Sequence, residues 1–119
     1  MKQYRGIRKK LDDLVGGFFR GRSCELALTD PTHRCAGRLE WAHLKSRRYL
    51  SLRWLPINAF TLCTSAHMWF ENNPDLFARW IDKHYPGRID EVNRLMTLNT
   101  QYKDWMLKEL YEKLKEELL

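Results

Sequence analysis

His43, Asn58 and His67 are the residues whose types and spacing could do chemistry: fourteen residues separate the first pair and eight the second. An imidazole titrates near neutrality, so either histidine could take a proton at cellular pH or bind a metal ion. Carboxylates accompany both. Glu40 lies three residues before His43, and Glu71 lies four after His67, one helical turn on and on the same helix face. Either could supply a hard oxygen ligand for Mg²⁺ or Mn²⁺. Between His43 and Asn58 the chain carries Lys45, Arg47, Arg48 and Arg53, and a guanidinium can pair two phosphate oxygens at once. Taken singly, each histidine reads more simply as an ordinary packed or surface residue. The register they share is what raises them above that.

Around the three residues the chain runs Leu39-Glu-Trp-Ala-His43, Arg47-Arg48, Arg53-Trp54, then Asn58-Ala-Phe-Thr-Leu-Cys63-Thr-Ser-Ala-His67. In that order it resembles the HNH, or ββα-metal, endonuclease motif, and most of all phage versions akin to NinG-like recombination proteins. The match covers roughly residues 24–80, about half the chain. The resemblance implies an α+β fold: a small ββα-metal core with an N-terminal helix and several C-terminal helices. It implies one domain over residues 1–119, with a basic helix at 1–22, the core at 24–72 and a helical part at 74–119.

The same resemblance implies divalent-metal-dependent hydrolysis of DNA phosphodiesters, leaving 5′-phosphate and 3′-hydroxyl ends, in phage or prophage recombination or DNA processing. His43 maps to the general base and His67 to the metal-binding helix histidine. Asn58 maps to the residue that ties down the loop and can orient His43. Many family members place Asp or His just before the base as a metal ligand. Ala42 stands there instead, and Glu40 or Glu71 could replace what it lacks.

Relatives often flank the motif with two Cys-x2-Cys knuckles that bind a structural Zn²⁺. Here they read Cys24-Glu-Leu-Ala27 and Cys63-Thr-Ser-Ala66, each without its second cysteine. Cys24, Cys35 and Cys63 could still hold zinc with His33. Loss of both second cysteines together fits three buried thiols better.

At 119 residues, with 44% hydrophobic and 13% aromatic content, the chain can form one core, which excludes general disorder. Residues 1–60 carry 13 Lys/Arg against 5 Asp/Glu, and residues 61–119 carry 8 against 10. That asymmetry fits a nucleic-acid footprint, duplex or branched DNA, in the half that holds His43. No apolar run suggests a membrane span. The N-terminus lacks the apolar stretch of a signal peptide, and three cysteines make a disulfide framework unsuited. The expected location is the cytoplasm of a bacterial host.

Helical spacing predicts a basic amphipathic helix over residues 3–15, with Lys2, Arg5, Arg8, Lys9 and Lys10 on its polar face and a stop at Gly16-Gly17. Residues 24–37 and 45–57 are predicted to be loops, and 38–44 and 59–63 short strands. Thr64 or Ser65 would cap a helix carrying His67. Pro74 would start another running to about Tyr85, and the chain would be helical from Ile89, broken near Thr97–Thr100. Trp41, Trp54, Trp69 and Trp80 are expected in the core. The stripe Leu107, Leu110, Tyr111, Leu114 and Leu118 is expected either in the core or at a homodimer seam. Two other functions stay open: a catalytically weak HNH-fold DNA-binding module, and a phage protein that binds a host protein.

Overall fold

The computed structural model describes residues 2–119, with side chains from Gly6 onward; the side chains of Lys2, Tyr4 and Arg5 therefore lie outside the described residues. In order come α1 (Lys2–Arg20), α2 (Glu25–Thr29), β1 (Leu39–His43), α3 (Leu50–Arg53), a single 3₁₀ turn (Pro56–Asn58), β2 (Ala59–Cys63), α4 (Thr64–Asn72), α5 (Pro74–His84), α6 (Arg88–Leu98) and α7 (Asp104–Leu118). The chain is α+β, its two strands forming one antiparallel pair.

The register sets which side chain faces which helix. Glu40 pairs with Leu62 and Ala42 with Phe60, while Trp41 pairs with Thr61 and His43 with Ala59. Alternation along a strand puts the first two pairs on one face and the last two on the other. Ala42, Phe60 and Leu62 join Ala66 and Phe70 of α4 and Trp80 and Ile81 of α5 in one apolar cluster. Trp41 and Ala59 pack on the other side, with Ile7, Leu11, Val15 and Phe19 of α1 and Leu107 and Leu114 of α7. The C-terminal stripe thus packs inside the chain against α1.

Three local expectations needed correction. α1 continues through Gly16-Gly17 to Arg20. Burial of Leu11, Val15 and Phe19, each about 2 kcal/mol, outweighs the roughly 1 kcal/mol that a helical glycine costs. The stretch read as a loop before β1 holds α2, because Leu26 is buried and Glu25 is fixed at both oxygens. Glu25 Oε2 accepts the Thr61 N–H at 2.6 Å and Oε1 accepts the Tyr85 hydroxyl at 2.6 Å. The inter-strand loop likewise holds α3, whose Ser51 and Leu52 are buried.

Several other local signals held. Asp30 Oδ1 accepts from the Thr32 N–H and hydroxyl, the turn expected at Thr-Asp-Pro-Thr. Pro74 stands at the start of α5, and Asn99 in left-handed backbone (φ 45°) separates α6 from α7. Trp54 and Trp80 are buried, whereas Trp69 is 46% exposed; on the short α4, Phe70 and Ala66 take the inward positions. Among the described residues no helix is long and apolar enough to cross a membrane.

Candidate functional site

His43 is the last residue of β1 and lies on its Trp41 face, the two rings 4.4 Å apart. Its Nε2 stands 3.1 Å from the carbonyl oxygen of Arg53. A carbonyl can only accept, so Nε2 carries the proton and Nδ1 carries the free lone pair. Burial pushes the His43 pKa down to about 4, against the Arg53 hydrogen bond; the charges of Arg47, Arg53 and His67 push the same way as burial. The near-neutral imidazole expected from the residue type is therefore corrected. His43 is a neutral ring, fixed in one tautomer.

Asn58 is fully buried at the entry to β2. Its Oδ1 accepts the Lys45 N–H at 2.8 Å, and its Nδ2 donates to the carbonyls of Lys45 at 3.0 Å and Leu52 at 3.3 Å. The side chain thus closes the loop between the strands at both ends. The ring of His43 is held by Arg53, one residue beyond Leu52, so Asn58 acts on His43 through the loop.

His67 sits in the second turn of α4 with a carboxylate at each nitrogen. Nδ1 lies 2.8 Å from Glu40 Oε1, and Nε2 lies 3.3 Å from Glu71 Oε1. Glu40 Oε2 also accepts the Thr64 hydroxyl at 3.0 Å. The hydrogen bond from His67 holds the Glu40 carboxyl below its ordinary range, with Thr64 and Arg38 helping and burial opposing. Glu40 is therefore a carboxylate, and Nδ1 is the donor to it. With Nδ1 turned to Glu40, Nε2 points toward the Glu71 carboxylate. Glu71 is two-thirds exposed, which leaves that side open. Ala42, by contrast, is buried in the core and faces no such opening.

The basic residues divide. Arg47 and Arg48 are exposed in the turn after β1, and Lys45 is half-buried beside them. Arg53 is already engaged: its Nε and Nη2 bond both oxygens of Asp12 at 3.0 and 2.7 Å, and Trp54 Nε1 adds a third bond to Asp12 at 2.8 Å. Asp12 is a residue that sequence reasoning missed. An acidic position in a basic helix was its only signal.

A second group gathers at the other end of the hairpin. One ligand atom each from Cys24, His33, Cys35 and Cys63 lie within 4.8 Å of one another, a set that could hold a metal ion. Cys24 and Cys63 are buried, while Cys35 belongs to an exposed loop residue; three thiols buried by packing is not the arrangement. Against burial, hydrogen bonds from Ser65, His33 and the Ala66 and Ala36 backbone bring Cys63 down to about 5. Burial, then the neighbouring Cys63 and Cys24, pushes Cys35 up to about 12. Cys63 is thus the sulfur whose anionic form its surroundings favour.

No family model matches the chain, and neither a curated protein nor a solved structure is significantly similar to it.

Proposed function

We propose that this chain is an HNH-type, divalent-metal-dependent endonuclease acting on DNA. The observation that carries it is His67, set on a helix directly after the hairpin with Glu40 on Nδ1 and Glu71 on Nε2. A histidine that donates one nitrogen to a carboxylate and presents the other to an open position is how metal-binding imidazoles are commonly oriented. Nε2 of His67 and Glu71 would hold the ion, and Mg²⁺ or Mn²⁺ suits a site with a carboxylate and water. When bound, such an ion supplies positive charge for a leaving oxygen.

The remaining roles belong to the chain's own atoms. His43 Nδ1 has a free lone pair and can take a proton from an attacking water. Its Nε2–H stays on the Arg53 carbonyl and keeps the ring from turning. Arg47 and Arg48 project from the loop that leads away from His43, where they can grip backbone phosphates. The basic residues of the N-terminal half extend that grip, and recombination intermediates or branched DNA are the substrates first considered.

The test is nicking of supercoiled plasmid by wild type and His43→Ala, with Mg²⁺, Mn²⁺ or EDTA. Cleavage that requires the ion and disappears in the variant, with DNA affinity unchanged, is the expected result. A second function, a DNA-binding module of this fold with little turnover, is favoured by the burial of Ala42, which leaves few protein ligands for the ion. Salt-sensitive DNA binding without nicking in any metal would select it.

A further inference from the structure

At the junction of β2 and α4, opposite His43 along the strands, three sulfur atoms and an imidazole converge from three separate stretches of chain. Cys24 precedes α2, His33 and Cys35 lie in the loop before β1, and Cys63 ends β2. Their ligand atoms all fall within 4.8 Å, and His33 Nε2 is 3.3 Å from Cys63 Sγ. We propose that Cys24, His33, Cys35 and Cys63 bind one Zn²⁺ tetrahedrally, as a clasp that seats the start of α4. Its consequence for His67 rests on the function proposed above; the site itself does not.

Donor chemistry selects the ion. Three thiolates and an imidazole are a soft set, suited to zinc and poorly suited to Mg²⁺ or Ca²⁺. Four donors at zinc bond lengths of about 2.0–2.3 Å stand roughly 3.3–3.8 Å apart at tetrahedral corners. The group therefore has to contract by no more than about 1 Å. Four protein ligands leave no open position, which makes the site structural. A disulfide would use two sulfurs and give His33 and the third no purpose. No Cys-x2-Cys spacing encodes this set: two of its ligands come from the loop that the sequence treats as a turn.

That loop has little apolar anchoring. Pro31, Thr32 and residues 34–38 are all exposed, so apolar burial does little to hold it. His33 and Cys35 reach toward Cys24 and Cys63, and the loop's far end bonds directly to the beginning of α4. Ser65 N–H donates to the Ala36 carbonyl at 3.1 Å and Thr64 N–H to the Arg38 carbonyl at 2.9 Å. Gly37, at φ +84°, fits because a Cβ there would collide with Thr64. Cys63 itself caps α4, its Sγ accepting the Ala66 N–H at 3.4 Å, the position expected of Thr64 or Ser65. Thr64 in turn holds Glu40, and Glu40 holds His67. The clasp lies one helical turn from the candidate metal-binding histidine.

The experiment is zinc content and thermal melting of the full chain, purified without chelator, beside Cys35→Ser, His33→Ala and His67→Ala. Cys35 and His33 lie in the exposed loop, so their substitution spares the buried core. Wild type should carry about one zinc per chain, and a strong chelator should lower its melting midpoint by about 10 °C or more. Cys35→Ser should lose zinc or hold it weakly, whereas His67→Ala should keep it. Refolding with Co²⁺ should give the visible bands of a tetrahedral thiolate site in wild type, altered in Cys35→Ser. Folded wild type without stoichiometric zinc, indifferent to chelator, would overturn the proposal. Because none of these readouts needs DNA, a chain that binds zinc but fails to nick would count against the nuclease alone.

Discussion

Asp12 grips two of the guanidinium nitrogens of Arg53, Nε and Nη2, at 3.0 and 2.7 Å, and the carbonyl of that same arginine accepts the Nε2–H of His43 at 3.1 Å. A helix near the N-terminus thereby fixes the ring at the end of β1. The pair is partly buried, at 19% and 29% side-chain exposure, and its fork geometry orients as well as attracts. Asp12→Ala leaves Arg53 and Trp54 Nε1 without their acceptor and should destabilise the fold by about 2–4 kcal/mol. Asp12→Asn keeps the shape and one acceptor oxygen. It should lower kcat about tenfold with KM little changed, because His43 loses a fixed orientation. Steady-state nicking kinetics would read this, and an unchanged kcat would remove Asp12 from the positioning chain.

His43 sets a pH dependence with a definite sign. Its folded pKa, near 4, lies below the ordinary 6.5, so the unfolded chain binds more protons between those values. The stability it contributes is full above about pH 6.5 and is lost as pH falls toward about 4. Urea midpoints at about pH 7 and about pH 4.5 should therefore differ more for wild type than for His43→Gln. The acid limb of kcat/KM attributable to this base should likewise lie well below pH 6. An acid limb at the ordinary histidine value would refute the buried, neutral base.

Glu71 and Glu40 should behave differently although both touch His67. Glu71→Gln changes the exposed carboxylate proposed to hold the ion and should weaken Mn²⁺ binding at least about tenfold, with the fold intact. Glu40→Gln leaves Nδ1 a neutral partner and keeps a group for Thr64. It should weaken the ion less than Glu71→Gln does. Calorimetric titration with Mn²⁺ decides the order, and the reverse order would make Glu40 the direct ligand.

Asn58 carries three hydrogen bonds in a site without water contact. Asn58→Ala should cost about 2–4 kcal/mol by leaving the Lys45 N–H and carbonyl unpaired, while the Leu52 carbonyl keeps the Leu55 N–H. Asn58→Asp should be at least as damaging, since its oxygens would face the Lys45 and Leu52 carbonyls. Chemical denaturation measures both. A cost under about 0.5 kcal/mol for Asn58→Ala would mean that the loop is held by something else.

Arg47 and Arg48 are the arginines of the inter-strand loop free of the Asp12 link that holds Arg53. Replacing both with Ala should weaken DNA binding and reduce the log–log salt slope by about 2, without moving the melting midpoint. Arg53→Ala should do the opposite, losing stability with a smaller change of slope. Fluorescence anisotropy across a salt series separates the two.

Much of the local plan was legible in the chain. The two strands, the helix carrying His67, Pro74 at a helix start and the break near Asn99 follow from side-chain alternation, helical spacing and backbone chemistry, all of which act over a few residues. The basic bias of the first 60 residues is likewise a matter of composition. What escaped is what depends on distant partners. The helix through Gly16-Gly17 forms because α7, almost a hundred residues on, buries its apolar stripe. Arg53 looked like a phosphate clamp because Asp12, forty-one positions earlier, gives no local sign of reaching it. His43 has an ordinary pKa by residue type, and only its burial in the folded chain, with the positive charges brought near it, lowers it.

The cysteines show the division most clearly. Their number and type fixed which elements they could bind, but their spacing argued for three packed thiols. Whether donors thirty-nine residues apart come within reach of one another is settled by the hairpin register and by the loop that Gly37 lets close onto Thr64. Residue chemistry is carried by the sequence one position at a time; proximity, burial and the direction of a lone pair arise only when the chain has folded back upon itself.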